Sequence, residues 1–155
     1  MNASIRIASI SDSDILLKWR NESLVRQFSK FSGLIYEEEH IAWLKTRLTK
    51  CDKEPFFVFM IGDLAAGTAR LDNVVENEKI LEVSILLDPK FQGFGNARVL
   101  LDLVCNYAIE KLGARKIIAE IHSENFRSIK LFQSAGFNYL SKNGVFLKYQ
   151  KLQIT

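Results

Sequence analysis

Leu87-Asp88-Pro89-Lys90-Phe91-Gln92-Gly93-Phe94-Gly95-Asn96-Ala97-Arg98 joins the end of an apolar strand pattern to the start of a long helical one. The strand pattern covers Ile80–Leu87, and the helical pattern runs on until Gly113 ends it. Gly93 and Gly95 let the backbone take positive φ angles and approach a ligand closely. Backbone N–H groups of such a turn and of the first helical turn point to one spot, which suits a phosphate or pyrophosphate. The stretch therefore predicts an anion-binding turn at the start of a helix.

Two familiar phosphate-binding motifs do not match this turn. No Gly-Lys-Ser/Thr follows it, as a Walker loop requires. The third glycine of the dinucleotide fingerprint is missing, and no βαβ unit opens the chain. The pattern by itself indicates a phosphate-binding turn of another kind.

Outward from the turn, glycines, prolines and polar clusters divide the chain into alternating elements. The order β-α-α-β-β-β-α-β-α-β-β predicts an α/β or α+β fold with a mixed sheet and helices on its faces. A helix capped by Ser11-Asp12 and one that opens at the acidic run 37–39 follow the first strand. Residues 72–79 are predicted as a polar turn, and a last helix is expected from a Ser123 cap to Gly136. Strands are predicted at 4–9, 55–61, 64–71, 80–87, 116–121, 137–140 and 145–151.

Length and composition set the outer limits. The 155 residues carry a formal net charge of +3 with acids and bases interspersed, so we expect one domain, 1–155, that does not bind nucleic acid. The longest apolar run, Phe56–Ile61, is too short to span a bilayer. No signal-peptide layout opens the sequence, so a cytoplasmic location without membrane attachment is expected. Cys51 and Cys105 stand alone, which predicts neither a disulfide nor a metal site.

Two motifs at family spacing resemble those of the GNAT superfamily of N-acetyltransferases. Gln92-x-x-Gly95-x-Ala97 resembles the loop that binds the pyrophosphate of acetyl-CoA, and Asn125-x-x-Ser128-Ile129-x-Leu131-Phe132-x-x-x-Gly136-Phe137 is similar to the second signature. The resemblance implies a mostly antiparallel mixed sheet of about seven strands with about four helices, splayed between strands four and five. It also implies acetyl-CoA as co-substrate, with pantetheine lying in the splay.

The same resemblance assigns the residues that would hold acetyl-CoA. Pantetheine would pair with backbone at two positions of the fourth strand, and the turn would take the pyrophosphate. Phe132 stands where the family often has a tyrosine that protonates the leaving sulfur, so that role cannot be carried over. The implied cofactor-binding residues are Ile85, Leu87, Gln92, Gly93, Phe94, Gly95, Asn96, Ala97, Asn125, Ser128 and Phe132.

A narrower resemblance lies in the N-terminal half. Trp19-Arg20-Asn21, Val25-Arg26, Glu38-Glu39-His40 and Trp43 resemble the branch of the family that acetylates amino sugars on nucleotide carriers, as in pseudaminic acid synthesis. A diphosphate carrier needs a cation, and an arginine offers a bidentate fork, while a tryptophan can stack on a ring. The implied acceptor-binding residues are Arg20, His40, Trp43, Arg70 and Asp72.

Glu82 and His40 are the candidates for the general base that deprotonates the amine. Glu82 and Glu120 each interrupt an apolar strand, where a carboxylate needs a partner or a use. The structural alternatives are that Trp43 belongs to the core and that Arg20 and His40 are ordinary helix-surface residues.

The acceptor is expected to be a small-molecule amine, most simply that of a nucleotide-linked amino sugar. A protein N-terminus or a polyamine is the alternative acceptor. A catalytically weak acyl-CoA-binding module is a further alternative, supported only by Phe132. The chain is expected to be a monomer or a homodimer.

Overall fold

The computed structural model describes residues 2–153 and contains one seven-stranded sheet in the order β1-β2-β3-β4-β5-β7-β6. Every neighbouring pair is antiparallel except β4 and β5, which are parallel. The strands are β1 Ala3–Ile7, β2 Phe56–Ile61, β3 Leu64–Val75, β4 Ile80–Leu87, β5 Lys116–His122, β6 Asn138–Asn143 and β7 Phe146–Leu152.

The parallel pair of β4 and β5 is short, so the two strands separate and leave a gap in the sheet. β4 and β5 are in register at only three positions, from Ile80–Lys116 to Glu82–Ile118. Beyond Glu82, β4 continues to Leu87 with β3 as its only strand partner, while β5 continues beside β7. The predicted splay between the fourth and fifth strands is confirmed.

Helices cover both faces of the sheet. Among the described residues these are α1 Ser13–Arg20, α2 Ser23–Gln27, α3 Glu37–Leu48, α4 Asn96–Leu112 and α5 Phe126–Ser134. Leu100, Leu101 and Val104 of α4 and Phe132 of α5 belong to one buried core cluster with the sheet. Leu16, Trp19 and Leu44 of α1 and α3 form a second cluster with Phe56 and Val58 on the opposite face.

Strand alternation decides which side chains meet. Side chains point to opposite faces in turn along a strand. Leu81 and Val83 of β4 lie in the α4-side core, as do Ile117 and Ala119 of β5. The residues between them, Glu82 on β4 and Ile118 and Glu120 on β5, therefore face the side covered by α1 to α3.

The prediction of a turn at residues 72–79 is wrong in its first half. β3 continues through Val75, and only Glu76–Glu78 form a turn of 3-10 helix. Asp72 is held there by an ion pair with Arg47, and the Asn73 N–H donates to Glu54 Oε2 at 2.8 Å. These long-range partners keep polar residues in a strand that local preference disfavours.

Two helix starts also differ from the sequence prediction. Asn125, rather than Ser123, caps α5, because its side-chain oxygen accepts the backbone N–H of Ser128. The backbone N–H of Ser123 donates to Val145 O. The short helix Ser23–Gln27 was not predicted; its residues are not buried and carry no clear apolar period. No helix among the described residues is long and apolar enough to cross a membrane.

Candidate active site

The turn between β4 and α4 presents a set of free backbone donors. Gly93 and Gly95 have φ angles of +85° and +81°, and α4 begins at Asn96. Within residues 2–153, the backbone N–H groups of 93–98 donate to no acceptor. Together with the positive end of the helix dipole, they favour an anion at this point.

Two side chains of the turn donate to backbone carbonyls of the same segment and leave the N–H groups of the turn free. Gln92 Nε2 donates to Leu87 O at 3.2 Å, and Asn96 Nδ2 donates to Phe91 O at 2.9 Å. A Cβ added at Gly95 would meet nothing within 4 Å, so the positive φ, and not lack of space, is what favours glycine. The residues present therefore fit a pyrophosphate bound by main-chain N–H groups.

The turn is also tied to the first helix. Trp19 is 1% exposed, and its indole Nε1 donates to Asp88 Oδ2 at 2.8 Å. The other carboxylate oxygen of Asp88 accepts the backbone N–H of Lys90 at 2.8 Å. Trp19 is thus a core residue that fixes where the turn begins.

The gap between β4 and β5 adjoins this turn. Ile85 and Leu87 pair with Ala69 and Gly67 of β3, and their other edge faces no strand. A Cβ on Gly67 would lie 2.3 Å from Leu86 O, so only glycine lets β3 approach the end of β4 so closely. A pocket between the end of β4, the start of the turn and helices α1 and α2 is lined by Trp19, Glu22, Ser23, Leu24, Val25, Leu86, Leu87, Pro89 and Gln92.

The second signature motif is mostly structural in its contacts. Asn125 Oδ1 accepts the backbone N–H of Ser128 at 3.3 Å and so caps α5. Phe132 is 3% exposed and packs edge-on against Phe137, with ring centres 5.0 Å apart. Arg127, which the sequence did not single out, donates to Gln92 Oε1 and connects α5 to the turn.

Arg20 and Trp43 lie together on the α1–α3 side. The Arg20 guanidinium carbon is 4.7 Å from the centre of the Trp43 ring. Among the described residues Arg20 has no carboxylate or hydrogen-bonding partner. Burial lowers the pKa of Arg20, and the nearby charge of Arg70 lowers it further.

His40 is fully buried beneath this pair. Its Nε2 lies 3.1 Å from Ser13 O, its ring stacks on Trp43, and its Nδ1 has no partner among the described residues. Burial lowers the pKa of His40, as does the charge of Arg20, while the bond to Ser13 opposes them. His40 is therefore an inner support of Trp43 with no surface to offer a ligand.

Asp72 and Arg70 are held in a charged cluster at the edge of the same face. Asp72 pairs with Arg47, and its other oxygen is 3.3 Å from Arg70 Nε. Arg47 is buried and also donates to Leu71 O at 2.8 Å and to Glu54 O at 3.0 Å. The sequence did not single out Arg47, because one basic residue at a buried helical position carries no distinctive pattern.

Glu82 occupies the point where the gap opens, since Glu82–Ile118 is the last pair between β4 and β5. Its register partner on β3 is Asp72. Burial raises the pKa of Glu82, and the charge of Glu120 raises it further, against an opposing effect of Lys30. Such a carboxylate is able to accept a proton at a pH closer to neutrality than an ordinary one.

The splayed sheet and the open turn after β4 are the architecture of an acetyltransferase. Residues 4–138 match the sequence model of the acetyltransferase (GNAT) domain. The chain belongs to the GNAT family and is an acetyl-CoA-dependent N-acetyltransferase.

Individual relatives in this family differ in their acceptors. The acetyltransferase PseH of Campylobacter jejuni is 27% identical over 80% of this chain and 75% of its own. The [ribosomal protein bS18]-alanine N-acetyltransferase of Salmonella typhimurium is 26% identical over 85% of this chain and 80% of its own. Spermidine N-acetyltransferase from Vibrio cholerae, solved with CoA and spermine, superposes with a TM-score of 0.86 at 20% identity, covering 97% and 95% of the two chains.

Proposed function

We propose that this protein transfers an acetyl group from acetyl-CoA to the amino group of a nucleotide-linked amino sugar. The observation that carries the proposal is the unpaired guanidinium of Arg20, held over Trp43 on the acceptor side of the gap. A half-buried cation without a carboxylate partner, next to a second arginine, favours an anionic ligand. The diphosphate of a nucleotide sugar supplies that anion. The likeness to PseH over most of the chain supports the same acceptor class.

Trp43 supports Arg20 in this proposal, whereas its residue type suggested that it would stack on a ring of the acceptor. Its ring already contacts Arg20, stacks with His40 at 6.1 Å and meets Phe56 edge-on at 5.4 Å. The contacts with His40 and Phe56 support the Trp43 ring on which the Arg20 guanidinium lies. The charge of Arg70 acts on Arg20, and the proposal assigns both arginines to one diphosphate.

Acetyl-CoA would be held by the free N–H groups of 93–98 and by the open edge of β4 at Ile85 and Leu87, and when bound it supplies an acetyl thioester. Glu82 accepts the proton from the acceptor amine at the point where β4 and β5 separate, directly or through a water molecule. The burial of His40 favours Glu82 as the base. An N–H group on the open edge of β4 would polarise the carbonyl, and the two binding sites would orient the reactants.

Departure of the sulfur requires no acid from Phe132. That side chain has no proton to give, and it lies in the core. An ordinary thiol has a pKa of about 8.5, so a thiolate is a tolerable leaving group near neutral pH, with water as the proton donor.

A polyamine is the second candidate acceptor. Asp72, Glu82 and Glu120 all lie on the acceptor face, and carboxylates would attract a cationic amine. Arg20 and Arg70 argue against it, because they would repel the same cation.

The acceptor panel that tests the proposal contains a UDP-linked 4-amino sugar, the same amino sugar without nucleotide, spermidine and an alanine-terminated peptide. Acetylated products are identified by mass spectrometry, and turnover is followed by release of free thiol. The proposal requires the highest kcat/KM for the nucleotide sugar and a clear loss when the nucleotide is removed. A higher kcat/KM for spermidine or the peptide would replace it. Binding of acetyl-CoA without turnover of any amine would favour an acyl-CoA-binding module.

A further inference from the structure

The segment after α2, residues 28–30, lies against β5 and β7, next to the part of β5 that has separated from β4. Lys30 forms an ion pair with Glu120 of β5, and its ammonium is 5.7 Å from the centre of the Phe146 ring. The Phe28 ring lies 5.3 Å from that of His122, which packs edge-on against Phe146 at 5.5 Å. One ion pair and a row of aromatic contacts therefore anchor this segment.

The ion pair also places a cation on the face of the sheet that carries the proposed base. Glu120 is two residues beyond Ile118, the register partner of Glu82, and its side chain emerges on the same face of the sheet. The Glu120 side chain is only 19% exposed, whereas that of Lys30 is 62% exposed. Solvent thus screens the carboxylate less than the lysine that balances it.

The other charged groups around Glu82 come from three directions. Asp72 and Arg70 face it from β3, and Arg20 lies beyond Arg70 on α1. Lys148 and Phe146 of β7 are the register partners of Glu120 and His122. Among the described residues, Lys30 is the cation that reaches this cluster from a loop outside the sheet.

We propose that Lys30 is a positioning residue for acetyl transfer: by pairing with Glu120, which lies on the same face of the sheet two residues beyond the register partner of Glu82, it balances that carboxylate and keeps Glu82 ionised for catalysis. The inference rests on the proposed role of Glu82 as the base. The two partners of this ion pair act on the pKa of Glu82 in opposite directions, since Glu120 raises it and Lys30 lowers it.

The direction of the Glu82 pKa shift in each variant follows from the charge that the substitution removes. In Lys30→Met, Glu120 keeps its negative charge without a partner, so ionising Glu82 costs more and its pKa rises. In Glu120→Gln, the like charge is lost while Lys30 stays positive, so the pKa of Glu82 falls. A purely structural role for the pair would give both variants the same loss of stability and no opposite shifts.

The test measures the Glu82 carboxyl directly in the full-length protein. Carbon-13 NMR titration follows the glutamate carboxyl signals, and the signal missing from Glu82→Gln identifies that residue. We expect the pKa to rise in Lys30→Met and fall in Glu120→Gln, each by about 0.5–1.5. Lys53→Met, which breaks an exposed ion pair with Glu76 elsewhere, is the matched control and should leave it unchanged. Shifts of the same sign in both variants, or no shift in either, would overturn the inference.

Enzyme kinetics separates this inference from the proposed function. If Glu82 is the base, the acid-side inflection of kcat/KM follows the NMR values in all the variants. If the NMR shifts occur while Glu82→Gln retains full activity, Lys30 still controls Glu82 but the assignment of the base is wrong. Thermal unfolding of each variant verifies that it is folded under the titration conditions.

Discussion

The guanidinium carbon of Arg20 lies 4.7 Å from the centre of the Trp43 ring, and no acidic side chain among the described residues pairs with it. An arginine on an aromatic face is held in one place while its N–H donors remain available. Because burial and Arg70 both disfavour its charge, an incoming anion would relieve that cost. The arrangement is suited to binding and contributes little to the stability of the free protein.

Arg20→Ala is therefore expected to raise the KM for a nucleotide-linked amino sugar about 10- to 100-fold, the loss of one charge-assisted contact. The KM for acetyl-CoA should stay nearly unchanged, because the donor is held at the other end of the gap. Steady-state kinetics with each substrate varied in turn measures both. Arg115→Ala, which removes an exposed arginine at the start of β5, is the control. Better use of spermidine together with unchanged use of the sugar nucleotide would contradict the sugar assignment.

Glu82→Gln is expected to lower kcat/KM by about 100-fold or more, since it removes the group that accepts the amine proton. The wild-type pH profile should contain an acid-side inflection above the ordinary glutamate value of about 4.3, because burial and Glu120 raise the pKa of Glu82. A base works when deprotonated, so activity is lost as the pH falls through that pKa. The inflection should vanish in Glu82→Gln and persist in the exposed control Glu78→Gln.

Gly95→Ala should weaken acetyl-CoA binding, because a residue with a Cβ disfavours the φ of +81° that begins α4. Gly95→Pro should weaken it more strongly, since proline also removes an N–H donor and requires a negative φ. Calorimetric titration with acetyl-CoA measures both. Gly144→Ala strains another positive φ, +61°, in the turn between β6 and β7, and should leave the affinity intact. Equal losses at both glycines would point to general destabilisation.

Phe132→Tyr should leave kcat per folded molecule within a few-fold of the parent, because proton delivery to a thiolate is not limiting. The added hydroxyl enters a buried site against Phe137, so an unsatisfied donor there should cost about 1–3 kcal/mol of stability. Urea unfolding and active-site-normalised kinetics report the two effects separately. A loss of activity of about a hundredfold in a folded variant would show that Phe132 acts on the thioester.

Arg47→Met should destabilise the fold by about 3–5 kcal/mol, because it removes the buried donor to one carboxylate oxygen of Asp72 and to three backbone carbonyls, those of Glu54, Pro55 and Leu71. Lys53→Met breaks an exposed ion pair and should cost no more than about 1 kcal/mol. The free energy of unfolding from urea titration compares the two. Similar small losses would mean that Asp72 and the backbone carbonyls are well solvated when Arg47 is absent.

On the acceptor side, residue type alone did not predict which side chains are buried or paired with other protein groups. Arg20 and Trp43 are brought together as the N-terminal motif implied, but His40 of the same motif is fully buried under the tryptophan. A histidine on an amphipathic helix gives no sign of which side it faces until the helix is docked. Asp72 was assigned to the acceptor, and the structure shows it bound to Arg47, which no pattern singled out.

The resemblance of two motifs to a known family indicated the acetyl-CoA-dependent class, and the sequence by itself determined the strand–turn–helix unit and the alternation of the strands. Those features are local: a positive φ needs glycine, a helix start leaves N–H groups free, and a period of two or 3.6 residues is visible in a short window. The tertiary structure alone decided which charges meet: Arg47 with Asp72, Lys30 with Glu120, and Glu82 at the last pair before the gap. These partners come from different elements far apart along the chain, so their meeting depends on sheet order, strand register and helix docking. Side-chain type and spacing do not encode those quantities locally, and for that reason the charge balance around Glu82 is a property of the fold.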